Sequence, residues 1–132
     1  MNCLFTIDVE AHHGINGFDR LILGKIGTRY YGISKIISIL SQFEKKAIFF
    51  IDFAGVNTWG KDRYERLCQL ILDSGHEVQL HVHPFHFDGG SDYLFDYPYS
   101  KQKEYLTKAV ELYCEILGYH PLAFRAGRYA AD

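Results

Sequence analysis

No apolar run in this sequence reaches the roughly 20 residues that a membrane-spanning helix needs. The N-terminus also lacks a basic stretch followed by an apolar core, which argues against a secretory leader and for a cytoplasmic protein. A basic stripe is missing too. The 14 Lys and Arg residues are balanced by 16 Asp and Glu, a net charge of −2, which argues against a nucleic-acid partner held by electrostatics. Internal repeats, linkers and low-complexity segments are absent. Cysteine is scarce and odd in number. Cys3, Cys68 and Cys114 are widely spaced in apolar surroundings and read as small buried hydrophobes in a reducing compartment, rather than as metal or catalytic thiols.

What is present is a globular pattern. With 132 residues, 48% of them hydrophobic, the chain can build one core but not two full domains, and it is too apolar for disorder. Residues 3–9 form a short apolar run ending in acid and predict a first strand, followed by an aperiodic loop over 10–28. Ile33, Ile36, Ile37, Leu40 and Phe43 recur at helical spacing. Residues 47–53 are continuously apolar, as in a strand buried on both faces. Tyr64, Leu67, Cys68 and Ile71 mark a second helix, stopped at Ser74-Gly75 with Gly75 as a left-handed cap. A third strand and a loop rich in Asp, Gly and Tyr follow. Leu106, Val110, Tyr113, Ile116 and Leu117 then give a third helix, ended by Gly118 and Pro121, and a fourth strand begins at 122–125. This alternation predicts an α/β fold with a parallel sheet and right-handed crossovers. Four units amount to half of a barrel that takes about 250 residues when complete, so the C-terminal part of the domain is expected to be missing. An exposed sheet edge on such a piece favours self-association.

The third strand carries the densest chemistry. Four of the seven histidines, His76, His81, His83 and His86, fall within eleven residues. Val78, Leu80 and Val82 alternate with Gln79, His81 and His83, so His81 and His83 share a face near the strand's end. Two imidazoles side by side on rigid backbone suit a divalent metal. In parallel α/β folds the active site lies at the C-terminal strand ends. Read in order, those ends offer Asp8 and Glu10, then Asp52, then His81 and His83, then Arg125 and Arg128. Asp8 and Glu10 share a face: one suits an oxygen ligand, the other a general base for metal-activated water. His86 is a third candidate imidazole ligand. His76 opens the strand at its opposite end and His120 sits in a turn, both structural positions. His12 and His13 are either solvated or line a groove. Arg125 suits pairing with Asp8. Arg128 is either a surface residue or part of the site. Tyr129, with Tyr93, Phe95, Tyr97 and Tyr99, forms either a stacking platform for sugar rings or loop packing.

Thr6-Ile7-Asp8-Val9-Glu10, Lys46-Ala47-Ile48-Phe49-Phe50, Gly75-His76-Glu77-Val78 through His81, and Phe124-Arg125-Ala126-Gly127-Arg128-Tyr129 together resemble the polysaccharide deacetylases of carbohydrate esterase family 4, which share the nodulation-type deacetylase domain. The resemblance covers almost the whole chain, as the N-terminal portion of one such domain. It implies an incomplete (β/α)7 barrel and a metal-dependent hydrolase, most often zinc-dependent, that removes acetyl groups from N- or O-acetylated saccharides. It also implies Asp8 as base and Arg125 as its orienting partner; Arg128 and Tyr129, read from the strand end itself, are the substrate-binding candidates beside them. The common first motif, Thr-Phe-Asp-Asp-Gly, has Val9 in place of its second, ligating Asp, so Glu10 takes that role, as in an Asp-Val-Glu subgroup. The common second motif, His-(Ser/Thr)-x-x-His, is matched by His81 but has Phe85 at its second histidine, leaving His83 or His86 as the other ligand. The His-x-His-Pro form is similar to deacetylase-like proteins linked to cell-surface polysaccharide and lipopolysaccharide. The family's later motifs, including the general-acid histidine, would lie beyond Asp132. A truncated, non-catalytic saccharide-binding fold and a metal phosphoesterase are the alternative readings.

Overall fold

The computed structural model describes residues 3–12 and 17–129. β1 (Phe5–Val9) is followed by a wide helical turn at Phe18–Ile22 and a small hairpin of β2 (Lys25–Ile26) and β3 (Arg29–Tyr30), and then by α1 (Ile33–Gln42). β4 (Ala47–Asp52) runs through a tight turn, Phe53–Gly55, into α2 (Val56–Trp59) and α3 (Lys61–Asp73). β5 (Glu77–Val82) continues into the single-turn α4 (Phe85–Asp88), a turn at Leu94–Asp96 and the long α5 (Tyr99–Leu117). β6 (Phe124–Ala126) then ends in a turn at Gly127–Tyr129.

β1, β4, β5 and β6 form one parallel sheet in chain order. The strand order never reverses, which is the winding of a barrel rather than of a doubly wound sheet, and the sheet is curled as half of one. β4 is the centre. Its continuous apolar run is buried on both faces because strands flank it on each side and helices cover its outer surface. Val9, Phe49, Ile51, Val78, Leu80 and Val82 point outward to the helices. There they meet Ile33, Ile37 and Leu40 of α1, Leu67, Cys68 and Ile71 of α3, and Ala109 and Tyr113 of α5. Each fully buried Ile or Leu contributes about 1.5–3 kcal/mol, and Tyr113 joins this layer without an orphaned hydroxyl by donating to the Val78 carbonyl at 2.9 Å.

The other sheet face is polar. Register places Asp8 beside Phe50 beside Gln79, and, one layer further along, Asp52 beside His81 beside Arg125. Gln79 is buried there because its Oε1 accepts from the Leu122 and Ala123 amides, both at 2.9 Å, which steers the chain into β6.

Some expectations change. The stretch 10–28 is not loop throughout, but a two-residue hairpin is too short to show alternation. Phe43 lies just past α1 and is exposed, since the helix ends one residue before its period would use it. Cys68 is buried and Cys114 half-buried, but Cys3 is exposed because it precedes β1. Gly75 and Gly118 are left-handed, as expected of helix ends. β6 pairs only with β5 among the described residues, and no helix is long and apolar enough to cross a membrane.

Candidate metal centre

The strand alternation that exposes His81 and His83 on the polar face brings them to Glu10, one residue beyond β1. His81 Nε2 lies 3.0 Å from Glu10 Oε2, His83 Nε2 touches the same oxygen, and the two Nε2 atoms are 3.2 Å apart. The His81 and His83 side chains are 2% and 4% exposed and Glu10 36%, so the imidazoles form a floor and the carboxylate a wall open to solvent. Each contributes one ligand atom to a set lying within 4.8 Å.

His81 Nδ1 lies 2.8 Å from the Arg125 carbonyl oxygen, which can only accept, so Nδ1 carries the hydrogen and Nε2 a lone pair. His83 Nδ1 likewise faces Asp92 Oδ1 at 3.3 Å. With both rings neutral, three electron-rich atoms converge with no hydrogen between them, an arrangement that a metal ion or a proton relieves. Two of the three spacings, 3.0 and 3.2 Å, lie near the about 3.3 Å that bonds of about 2.0–2.1 Å at tetrahedral angles put between ligand atoms, while His83 and Glu10 stand closer than that. Without a metal, a proton answers the same demand. Hydrogen bonds from His81 and His83 hold the Glu10 carboxyl well below the usual range. Burial pushes His83 down, but the hydrogen bond to Glu10 and the charges of Asp52 and Asp92 outweigh it and raise His83 overall.

Asp52 stands beside His81 on the neighbouring strand. Its side chain is only 2% exposed, and its Oδ1 accepts from the His83 and Ala54 amides, both at 3.2 Å. Burial pushes its carboxyl up to about 6. His86 packs against Asp52. Its Nε2 lies 3.4 Å from Asp52 Oδ2 and its Nδ1 3.0 Å from Thr58 Oγ1, with the Trp59 ring edge-on. Pro84 begins the helical turn that brings His86 to Asp52 and α2, where it lines the same cleft as Glu10 and His83 without joining their ligand set.

Around the floor, Arg125 forms an ion pair with Asp8 and lies over the Phe50 ring, 4.1 Å from its centroid. Arg128 Nη2 is 3.4 Å from Asp92 Oδ2. Arg128 and Tyr129 are consecutive left-handed residues, and Tyr129 projects into solvent, 85% exposed. A cleft of about 230 Å³ opens above, lined by Glu10, His12, His83, Phe85, His86 and Asp92. His12 is exposed at its rim, edge-on to His83, while His13 lies outside the described residues. Tyr93 and Phe95 pair on the surface with centroids 5.3 Å apart, and Tyr99 is exposed. Tyr97 instead packs edge-on to Tyr105. His76 accepts from the Ala47 amide at the far end of the sheet, and His120 stands beside Cys114 in its turn.

Asp92 was not among the residues singled out from sequence, and Asp52 appeared there only as a strand end. Asp52 carried a signal, an acid closing an otherwise apolar strand. Asp92 carried none, since its Gly-Gly-Ser-Asp surroundings have no periodicity.

No protein-family model matches the sequence, and no curated protein matches it. Among solved structures, the peptidoglycan deacetylase PdaC from Bacillus subtilis is similar over 98% of this chain and 50% of its own, with a TM-score of 0.61 and 17% identity. A substituted form of PdaC gives 0.62 and 16% over the same shares. A structure described as T48 deacetylase with substrate gives 0.57 and 15%, again over 98% and 50%. At these identities the likeness is one of fold, and the chain spans about half the length of the structures it matches.

Proposed function

We propose that this chain carries the metal-binding half of a zinc-dependent hydrolase that removes acetyl groups from N- or O-acetylated saccharides of the cell-surface polysaccharide or lipopolysaccharide kind. The observation that carries the reading is the convergence of Glu10, His81 and His83 with both Nδ1 atoms turned away to oxygen partners. The deacetylase titles of the structures with the same fold support the choice of reaction.

In this reading Glu10, His81 and His83 hold the cation. A divalent cation held there would supply polarisation of an acyl carbonyl and a water acidified to a pKa of about 7. Asp8 accepts the proton as the water oxygen bonds to the acyl carbon, and Arg125 keeps that carboxylate in one orientation. The carbon–nitrogen or carbon–oxygen bond to the sugar then breaks, the leaving atom takes the proton that Asp8 had accepted, and acetate and the deacetylated sugar separate. Tyr93, Phe95 and Tyr129 offer exposed ring faces to a saccharide, and Arg128 a donor fork.

The test is metal analysis of the full chain together with acetate release from acetylated chito-oligosaccharides. One zinc per chain, lost in His81→Ala, and zinc-dependent acetate release, lost in Asp8→Asn without loss of metal, are expected. Zinc uptake with saccharide binding but no acetate release would favour the non-catalytic alternative. A folded chain that takes up no zinc defeats the reading.

A further inference from the structure

We infer that Asp92 is the positioning residue that turns His83 Nε2 toward the cation site, with Gly127 leaving the space in which the ring must lie. This rests on the metal-site reading above. His81 and His83 are fixed by different devices. His81 is inside β5 and its Nδ1 is held at 2.8 Å by a main-chain carbonyl, that of Arg125, which no substitution removes. His83 is one residue past the strand, where pairing with β6 has stopped. Its amide is anchored by Asp52, but that leaves the ring free to turn about its side-chain bonds. The only side chain hydrogen-bonded to its Nδ1, among the described residues, is Asp92.

Gly127 closes the other side. A Cβ at that position would stand 2.7 Å from both Cε1 and Nδ1 of His83, closer than carbon atoms approach, and 2.8 Å from the Val82 carbonyl. The backbone of Gly127 is not left-handed, so space rather than conformational freedom is what calls for glycine. Any side chain there would press on the edge of the ring that Asp92 holds.

Asp92 is itself seated. Its second oxygen meets Arg128, and its loop is built on Asp88, whose Oδ1 accepts from the Gly90 amide at 2.8 Å and the Tyr97 hydroxyl at 3.0 Å. The Tyr97 oxygen in turn accepts from the Ser91 amide at 2.7 Å, one residue before Asp92. Carboxylates behind ligating imidazoles set tautomer and ring orientation, and their loss costs about 10–100-fold in metal affinity.

The experiment is titration of the metal-free full chain with Zn²⁺ by calorimetry and with Co²⁺ by its visible absorption, alongside thermal melting without metal. Asp92→Ala should weaken Zn²⁺ about 10–100-fold with the metal-free melting temperature unchanged, and Asp92→Glu should recover part of the loss. Gly127→Ala should reproduce the loss with Asp92 in place and alter the Co²⁺ spectrum, which keeps the inference testable if Asp92→Ala does not fold. Wild-type affinity in Asp92→Ala, where His83→Ala has lost binding, overturns the inference and leaves the metal site standing. An affinity loss that tracks a lowered metal-free melting temperature, with Asp92→Glu restoring melting alone, also overturns it. A wild-type chain that binds neither ion overturns both.

Discussion

Arg125, on the last strand of the sheet, forms an ion pair with Asp8 on the first, and its guanidinium lies over Phe50 on the way. Three strand spacings of about 4.8 Å separate those strands in a flat sheet, and side chains stand upright from its surface. The pair therefore depends on the curl that brings β6 back toward β1. Arg125 is well chosen for it. A lysine would keep the charge but lose both the fork that orients a carboxylate and the plane that stacks on Phe50. Arg125→Lys is expected to lower the rate of acetate release about 100-fold with zinc content unchanged, since a mispositioned base forfeits much of its contribution. Steady-state kinetics with metal analysis checks this, and an unchanged rate removes the pair from the mechanism.

Zinc held by Glu10, His81 and His83, as proposed, has a thermodynamic consequence that does not depend on turnover. Because the ligand atoms converge only in the folded chain, Zn²⁺ at 100 times its Kd should stabilise the fold by about 2.7 kcal/mol. For a chain of this length that amounts to a rise of about 10 °C in Tm. The rise should disappear on chelation and in His81→Ala. An equal rise in His81→Ala would place the ion elsewhere.

Much of this was legible because it depends on parity. A period of two puts Asp8 with Glu10 and His81 with His83 whatever the rest of the chain does, and the parallel α/β pattern then gathers strand ends on one rim. The different surroundings of His83 and His86 were not legible. They turn on Pro84, which starts a helical turn and takes His86 to Asp52 and Thr58. Asp92 was hidden for another reason. Its partnership with His83 is made by a loop folded on Asp88, and no periodic signal reports a loop's tertiary contacts.

His76 predicts a pH effect at the far end of the sheet. It is buried, and as the neutral ring its Nδ1 accepts from the Ala47 amide. Burial, assisted by Lys46, holds it below the ordinary histidine value. The unfolded chain, titrating near 6.5, then binds a proton that the folded chain resists, so this contribution is full above that pH and falls as the pH drops below it. Relative to His76→Asn, the wild type should lose stability between about pH 7 and pH 5 in urea unfolding of the metal-free chain. A pH-independent difference between the two proteins would sink the assignment.

Asp88 predicts a coupling between a loop and the site. It accepts from the buried Tyr105 hydroxyl at 2.5 Å and from Tyr97, and these bonds hold its carboxyl below the ordinary aspartate value. Asp88→Ala removes the acceptor of the Tyr105 hydroxyl, and because Asp88 lies at the surface, where water can replace its oxygen, it should cost about 0.5–1.5 kcal/mol at neutral pH. That cost should shrink as the pH falls below the ordinary aspartate range, because the wild-type carboxylate is then lost as well. The same substitution loosens the loop bearing Asp92, so it should also weaken Zn²⁺ binding. If the loop acts through Asp92, the two losses are not additive: Asp88→Ala should weaken Zn²⁺ in the wild type and have no further effect in Asp92→Ala. Equal losses in both backgrounds would mean that Asp88 reaches the site by a route other than Asp92.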